Sequence, residues 1–303
     1  MGVNSASYPD RPFGKRLRIA AINFLNPAPL MWDFEHPPLN AGLAQRYQID
    51  RMSPAECADR LANSQADIGL VPIAALAANP ALRILPGCVI ASKKRVRSLL
   101  LVHRANRPLA DLRSVAADTA SRTTLAYARI LFHNWGNPAV PFIPATADLD
   151  TMLDKADAAI LIGDPALLAL EERANRFERT REPLVYLDLA EEWNKITGLP
   201  FVSAVWGAAP GTPCLDSEAW DTITQDFIQS RIHGLENIDP LVAEWSNKLP
   251  IPEETIRTYL TTNIHYVLDE QCIEGMRAFF RTAASLGILP DYGVSLSELA
   301  QPR

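Results

Sequence analysis

Four cysteines, Cys57, Cys88, Cys214 and Cys272, lie so far apart that no C-x-x-C pair forms and no nearby histidine stands at metal-ligand spacing. This excludes a zinc ribbon or a thioredoxin-type redox motif, and predicts reduced thiols in the core. Long apolar runs are missing too, since none approaches the ~20 residues that span a bilayer. Met1 to Leu17 carries Asp10, Arg11, Lys15 and Arg16 but no apolar h-region, so the expected localisation is cytoplasmic. Basic charge is in deficit. A formal net charge of −6 argues against a general nucleic-acid or anionic-membrane binder and favours a small-molecule partner. No internal repeat or low-complexity tract is visible.

What is present is apolar substance and alternation. At 303 residues and 48% hydrophobic composition the chain can bury an ample core, and its length suits two lobes better than one. Residues 1–16 are polar and aperiodic and read as a loose tail. Arg18 to Ile22 reads as a short buried strand, ended by the turn Phe24-Leu25-Asn26-Pro27. A second strand is expected at Ile49 to Met52, and Ser53-Pro54-Ala55-Glu56 then spells a capping box with proline at the first helical position. Asp67 to Val71, closed by Pro72, is a third strand, giving a parallel α/β lobe.

Two extended runs follow, Leu82 to Ile90 and Val96 to His103, around the basic turn Lys93-Lys94-Arg95. A fresh alternation then starts at Ser114, with helices expected from Ser121 to Trp135, Leu149 to Lys155 and Pro165 to about Asn175. Phe201 to Trp206 returns as a strand, and the remainder is mostly helical, with Trp220, Ile223 and Phe227 on one face and Ile273, Met276 and Phe280 on another. The fold class expected is α/β and two-lobed, with two mixed sheets flanked by helices and the C-terminal helices packed on lobe one. Lobe one takes residues 17–104 and 203–303, lobe two takes 105–202, and crossings fall near His103 to Arg107 and Gly198 to Ser203. Strand carboxyl ends of two facing sheets would frame one cleft.

Several segments together resemble the chorismate dehydratases of the futalosine route to menaquinone, which have the type II periplasmic-binding-protein fold. They are Arg18-Ile19-Ala20-Ala21-Ile22-Asn23-Phe24-Leu25-Asn26, Ala66-Asp67-Ile68-Gly69-Leu70-Val71-Pro72, Val96-Arg97-Ser98-Leu99-Leu100-Leu101-Val102, Thr119-Ala120-Ser121-Arg122-Thr123-Thr124, Ile160-Leu161-Ile162-Gly163-Asp164-Pro165-Ala166, and Trp193 with Thr197-Gly198-Leu199-Pro200-Phe201. One departure stands after Pro72, where an acidic residue and a tyrosine of the family pattern are replaced by Ala74, Ala75 and Leu76. A sister enzyme of the route, which releases dihydroxynaphthoate, shares the fold. Its histidine-bearing motif is absent here, and the middle-lobe His133 falls within a helix pattern.

The resemblance implies conversion of chorismate to 3-[(1-carboxyvinyl)oxy]benzoate and water, without a cofactor or metal. Such a site must hold two carboxylates, bond the departing hydroxyl, accept a proton and exclude water. Asn26 and Ser98 are the candidate catalytic pair, with Asn26 alternatively capping the turn before Pro27 and Ser98 alternatively bonding a strand carbonyl. Thr119, Ser121, Thr123 and Thr124 stand at a helix start, ready to receive a carboxylate or simply to cap it. Gly163 and Asp164 open another helix, with Asp164 either its N-cap or a partner for a substrate hydroxyl. Lys93, Lys94, Arg95, Arg97, Arg104 and Arg107 form a basic set able to steer a dianion, or a solvated surface. No histidine, lysine or glutamate pair occurs in these motifs, so the expected base is the substrate's own enolpyruvyl carboxylate. A binding protein of the same fold, without chemistry, is the rival reading.

Overall fold

In the computed structural model, residues 15–118, 121–212 and 217–292 are described. Among the described residues ten strands form two five-stranded sheets. The first four are β1 (Leu17–Ile22), β2 (Tyr47–Met52), β3 (Ile68–Pro72) and β4 (Arg83–Ser92). The next four are β5 (Leu99–Arg104), β6 (Val115–Asp118), β7 (Phe142–Ala145) and β8 (Ala158–Ile162), followed by β9 (Leu184–Asp188) and β10 (Phe201–Ala208). The sheet orders are β2-β1-β3-β10-β4 and β7-β6-β8-β5-β9. In each sheet four strands run in one direction and one strand, β10 or β5, is inserted antiparallel next to the last of them.

Local signals account for much of this. Every residue of β3 and of β8 is buried, as expected of short apolar runs in the middle of a covered sheet. The helix Pro54–Ala62 begins with the capping box the sequence predicts: the Ser53 hydroxyl accepts from Glu56 N–H and the Glu56 carboxylate accepts from Ser53 N–H. Such a cap contributes about 1 kcal/mol. Asp67, next to β3, ties the lobe's first strand by accepting from both the backbone and the guanidinium of Arg18.

Two expectations are corrected, and one stretch gains helices that the sequence reading left open. The run from Leu99 to Arg104 pairs with β8 and β9, so it belongs to the second sheet and the first crossing lies at 93–98, not near His103. An apolar run after a charged turn carries no mark of which sheet will receive it. The helix expected from Pro165 to Asn175 is two, Asp164–Glu171 and Arg173–Thr180, meeting at Glu172. The stretch before β2 also contains helices, Trp32–Glu35 and Asn40–Arg46, which proline-rich flanks conceal in the sequence.

The C-terminal helices cover the first sheet. Phe227, from helix Ser217–Glu236, packs edge-on to Trp206 of β10, with ring centroids 4.7 Å apart. Helix Glu270–Ser285 passes so close to the second crossing that a Cβ on Gly275 would lie 2.5 Å from the Pro200 carbonyl oxygen. Its Phe279 stacks on Tyr127 of helix Arg122–Asn134, which itself stacks on Phe201 and meets Trp193 edge-on. This aromatic cluster joins the two sheets beside the crossing. Cys57, Cys88 and Cys272 are buried free thiols, as expected, whereas Cys214 lies outside the described residues.

Candidate functional site

Where β1 ends, Asn23 to Pro27 turn the chain away, because Pro27 has no N–H to extend the ladder with β2. Phe24 and Asn26 thereby stand beyond the carboxyl end of β1, on the rim of a cleft between the sheets. The opposite wall comes from Ser98 and Leu99, from Ser121 and Thr124, and from Ile162 and Gly163 at the end of β8. Pro72, Ser203 and Ala204 form its floor on the first sheet. The cleft encloses about 440 Å³ of atom-free space, part of it continuous with solvent.

Ser98 occupies the first crossing and is buried. Its carbonyl accepts from Gly163 N–H at 2.8 Å, and its hydroxyl oxygen accepts from the phenol of Tyr259 at 2.8 Å. The turn that delivers Ser98 is held by Asp188. One oxygen of Asp188 accepts from the N–H groups of Val96 and Arg97, the other from those of Ala190 and Glu191. Burial raises the Asp188 pKa, and these four donors oppose the rise. Arg97 adopts a left-handed φ of 68°, which the Asp188 bond and an ion pair to Glu171 stabilise.

Asn26 turns a buried Oδ1 that has no hydrogen-bond partner among the described residues. Burial raises the pKa of the neighbouring Tyr259 phenol, Ser98 chiefly opposes the rise, and the Asn26 side chain opposes it least. Ser121 caps helix Arg122–Asn134, accepting from Thr124 N–H, while the Thr124 hydroxyl donates to Ser121 Oγ. Both hydroxyls line the cleft. Thr123 does not. It is buried and its Oγ1 accepts from Ala74 N–H at 3.0 Å, a bond from one lobe to the other. Thr119 lies outside the described residues.

Gly163 is the N-cap of helix Asp164–Glu171, with φ 64° and ψ −143°, and Asp164 is the first helical residue. Of the two readings of Asp164, the N-cap one therefore fails, because the side chain reaches the other lobe and accepts from Leu25 N–H at 3.0 Å. Burial lifts its pKa to about 6, and the Leu25 N–H only partly offsets this. Arg122 and Asp59 add an ion pair between the lobes at 2.7 Å.

The basic set is not a free funnel. Lys93 pairs with Asp269, Arg95 with Glu191, Arg97 with Glu171, Arg104 with Glu182 and Arg107 with Asp157. His265, Asp269 and Cys272 offer atoms within metal-ligand range of one another. Their own bonds account for the cluster: the Cys272 thiol is pushed by burial to about 12, and the Asp269 carboxylate receives Lys93, His265 and the Cys272 N–H.

Two α/β lobes with equivalent sheet orders, joined by two crossings and facing each other across a cleft of mixed apolar and polar lining, define the periplasmic-binding-protein class of fold. Solved structures agree. A protein of Archaeoglobus fulgidus aligns with TM-score 0.70 at 15% identity, covering 91% of this chain and 99% of that one. The alkanesulfonate-binding protein of Xanthomonas axonopodis pv. citri, bound to MOPS, aligns with TM-score 0.65 at 17% identity, covering 95% and 98%. Within that class the family model for menaquinone biosynthesis matches residues 17–285, and the chain belongs to this family. A chorismate dehydratase from Thermus thermophilus is 28% identical over 214 residues, which is 68% of this chain and 74% of that protein.

Proposed function

We propose that this chain is a chorismate dehydratase, making 3-[(1-carboxyvinyl)oxy]benzoate and water by an elimination in which the substrate supplies its own base. Residues 17–92 with 201–292 act as one lobe and 99–197 as the other, hinged at the two crossings. The observation that carries the reading is the cleft lining. It presents the Ser98 hydroxyl, the Asn26 amide and the N-terminal ends of two helices, with no histidine, lysine or carboxylate among the described lining residues.

Ser121, Thr124 and the N–H groups of helix Arg122–Asn134 suit one substrate carboxylate, and the Gly163 end of helix Asp164–Glu171 suits a hydroxyl or second carboxylate. Charge-assisted bonds there contribute roughly 1.5–3 kcal/mol each. Ser98 donates to the departing ring hydroxyl, while Asn26 Oδ1, which is otherwise unpaired, accepts that hydroxyl's proton in a hydrogen bond. The enolpyruvyl carboxylate removes the neighbouring ring proton, and the C–H electron pair becomes the new ring double bond. The C–O bond breaks, and hydroxide leaves with the abstracted proton as water. Aromaticity provides the driving force, so the protein has to position and desolvate rather than supply a strong base.

Incubating the purified protein with chorismate tests this by mass spectrometry and NMR. The expected outcome is a product one water lighter, with aromatic proton signals and an intact enolpyruvyl ether. Binding of chorismate without turnover would establish a solute-binding role and reject the dehydratase.

A further inference from the structure

Tyr259 is fully buried, with 1% of its surface exposed, in a single turn of π-helix, Tyr259–Asn263. Its sequence distance from every segment of the cleft hides it, yet its hydroxyl bonds one of the cleft's candidate catalytic residues, Ser98. The phenol donates to Ser98 Oγ at 2.8 Å. π-helical turns are rare and concentrate at functional sites. A phenol this deeply buried stays protonated, since burial raises its pKa far above the ordinary value of 10.0. It therefore cannot serve as a base at neutral pH. What remains to it is donation.

The direction of that bond has a consequence for Ser98. A hydroxyl that already accepts a proton from Tyr259 is left with its own O–H free to donate, and this O–H belongs to a residue lining the cleft. Tyr259 hydroxyl to Ser98 hydroxyl is then a short chain of donors oriented the same way. Such chains polarise each member and strengthen the last.

We propose that Tyr259 is a positioning residue for the dehydration, fixing the Ser98 hydroxyl as a donor to the leaving hydroxyl through the Tyr259 Oη to Ser98 Oγ bond. This inference rests on the dehydratase reading. Tyr259 acts through Ser98 and needs no contact with substrate.

Tyr259→Phe removes one oxygen and retains the ring that fills the core. The expected result is a fall in kcat of about 10- to 100-fold, with KM and the chorismate Kd changed less than about 3-fold. Ser98→Ala combined with Tyr259→Phe is expected to be no slower than Ser98→Ala alone, because both changes remove one interaction. Unchanged kcat in Tyr259→Phe, or losses that multiply in the double variant, would overturn the positioning role while leaving the dehydratase intact. Absence of turnover by the unmodified protein would instead overturn the dehydratase reading and this inference with it. Should Tyr259→Phe not fold, 3-fluorotyrosine incorporated at position 259 is the second probe. As a stronger donor of nearly the same shape it should hold kcat at or above the native value, and a 10-fold fall would reject the proposal.

Discussion

The ring of Phe24 lies across Gly163 so closely that a Cβ on Gly163 would sit 2.7 Å from Phe24 Cε2. Gly163 also has a positive φ of 64° with ψ −143°, a conformation open essentially to glycine alone. Gly163→Ala is therefore expected to cost about 1–3 kcal/mol in backbone strain and to hold the lobes apart. Thermal unfolding and steady-state kinetics check both effects. We expect kcat/KM to fall at least about 100-fold, and Phe24→Ala in the same background to relieve the clash without restoring the lost stability.

Thr123 has a structural job between the lobes. Thr123→Val strands the buried N–H of Ala74, which should destabilise by about 1–3 kcal/mol, while Thr123→Ser retains the acceptor and the stability. Chorismate affinity, measured by calorimetry on the folded variants, should change no more than about 3-fold if Thr123 stays outside the cleft. A loss of affinity matching that of Ser121→Ala would return Thr123 to the substrate's carboxylate.

Asp164 links stability to pH. Its folded-state value of about 6 stands above the ordinary 3.8, so between these the folded protein holds a proton that the unfolded chain has released. Stability from this group is thus complete below about 4 and is lost as pH rises toward 6. Asp164→Asn keeps an oxygen for Leu25 N–H and does not titrate. The melting temperature of the variant should gain on the parent from pH 4 to pH 6.5, and a constant difference would show that Asp164 ionises normally. If Asp164 were the general base, Asn there would also reduce kcat by several orders of magnitude. The substrate-assisted elimination predicts a loss of no more than about 10-fold.

Asp188→Asn should disturb the turn that carries Ser98. An amide has one acceptor oxygen for the four N–H groups that the carboxylate serves, so about two bonds are lost, at roughly 2–4 kcal/mol. Chemical denaturation measures that loss. Because Arg97 depends on this anchor for its left-handed backbone, kcat is expected to fall further than substrate affinity.

Helix Pro54–Ala62 was legible in the sequence to its first residue because Ser53, Pro54 and Glu56 act on one another within a single turn. Asn26, Ser98, Ser121, Thr124 and Gly163 were legible as a group for another reason, their place in short ordered motifs, and all five line one cleft. Thr123 was legible only as a helix-start hydroxyl. The direction of its side chain depends on Ala74, from the other lobe. Tyr259 carries no local signal, being a phenol in a C-terminal helical region, and Asp188 shows locally only as a helix N-cap, which says nothing of its bonds to Val96 and Arg97. Phe24 was visible as a turn residue but not as the plate against Gly163.

The sequence by itself determined the α/β alternation, most strand and helix positions, the buried state of Cys57, Cys88 and Cys272, and the polar residues that end at the strand tips. All of these follow from side-chain periodicity, capping and composition, which act over a turn or a strand's length. Only the tertiary structure decided that β5 joins the second sheet, that Asp164 reaches Leu25 rather than its own helix, and that Tyr259 bonds Ser98. Those outcomes depend on which surfaces meet when the chain crosses between lobes twice, and contacts between residues far apart in the chain leave no spacing for a sequence pattern to record.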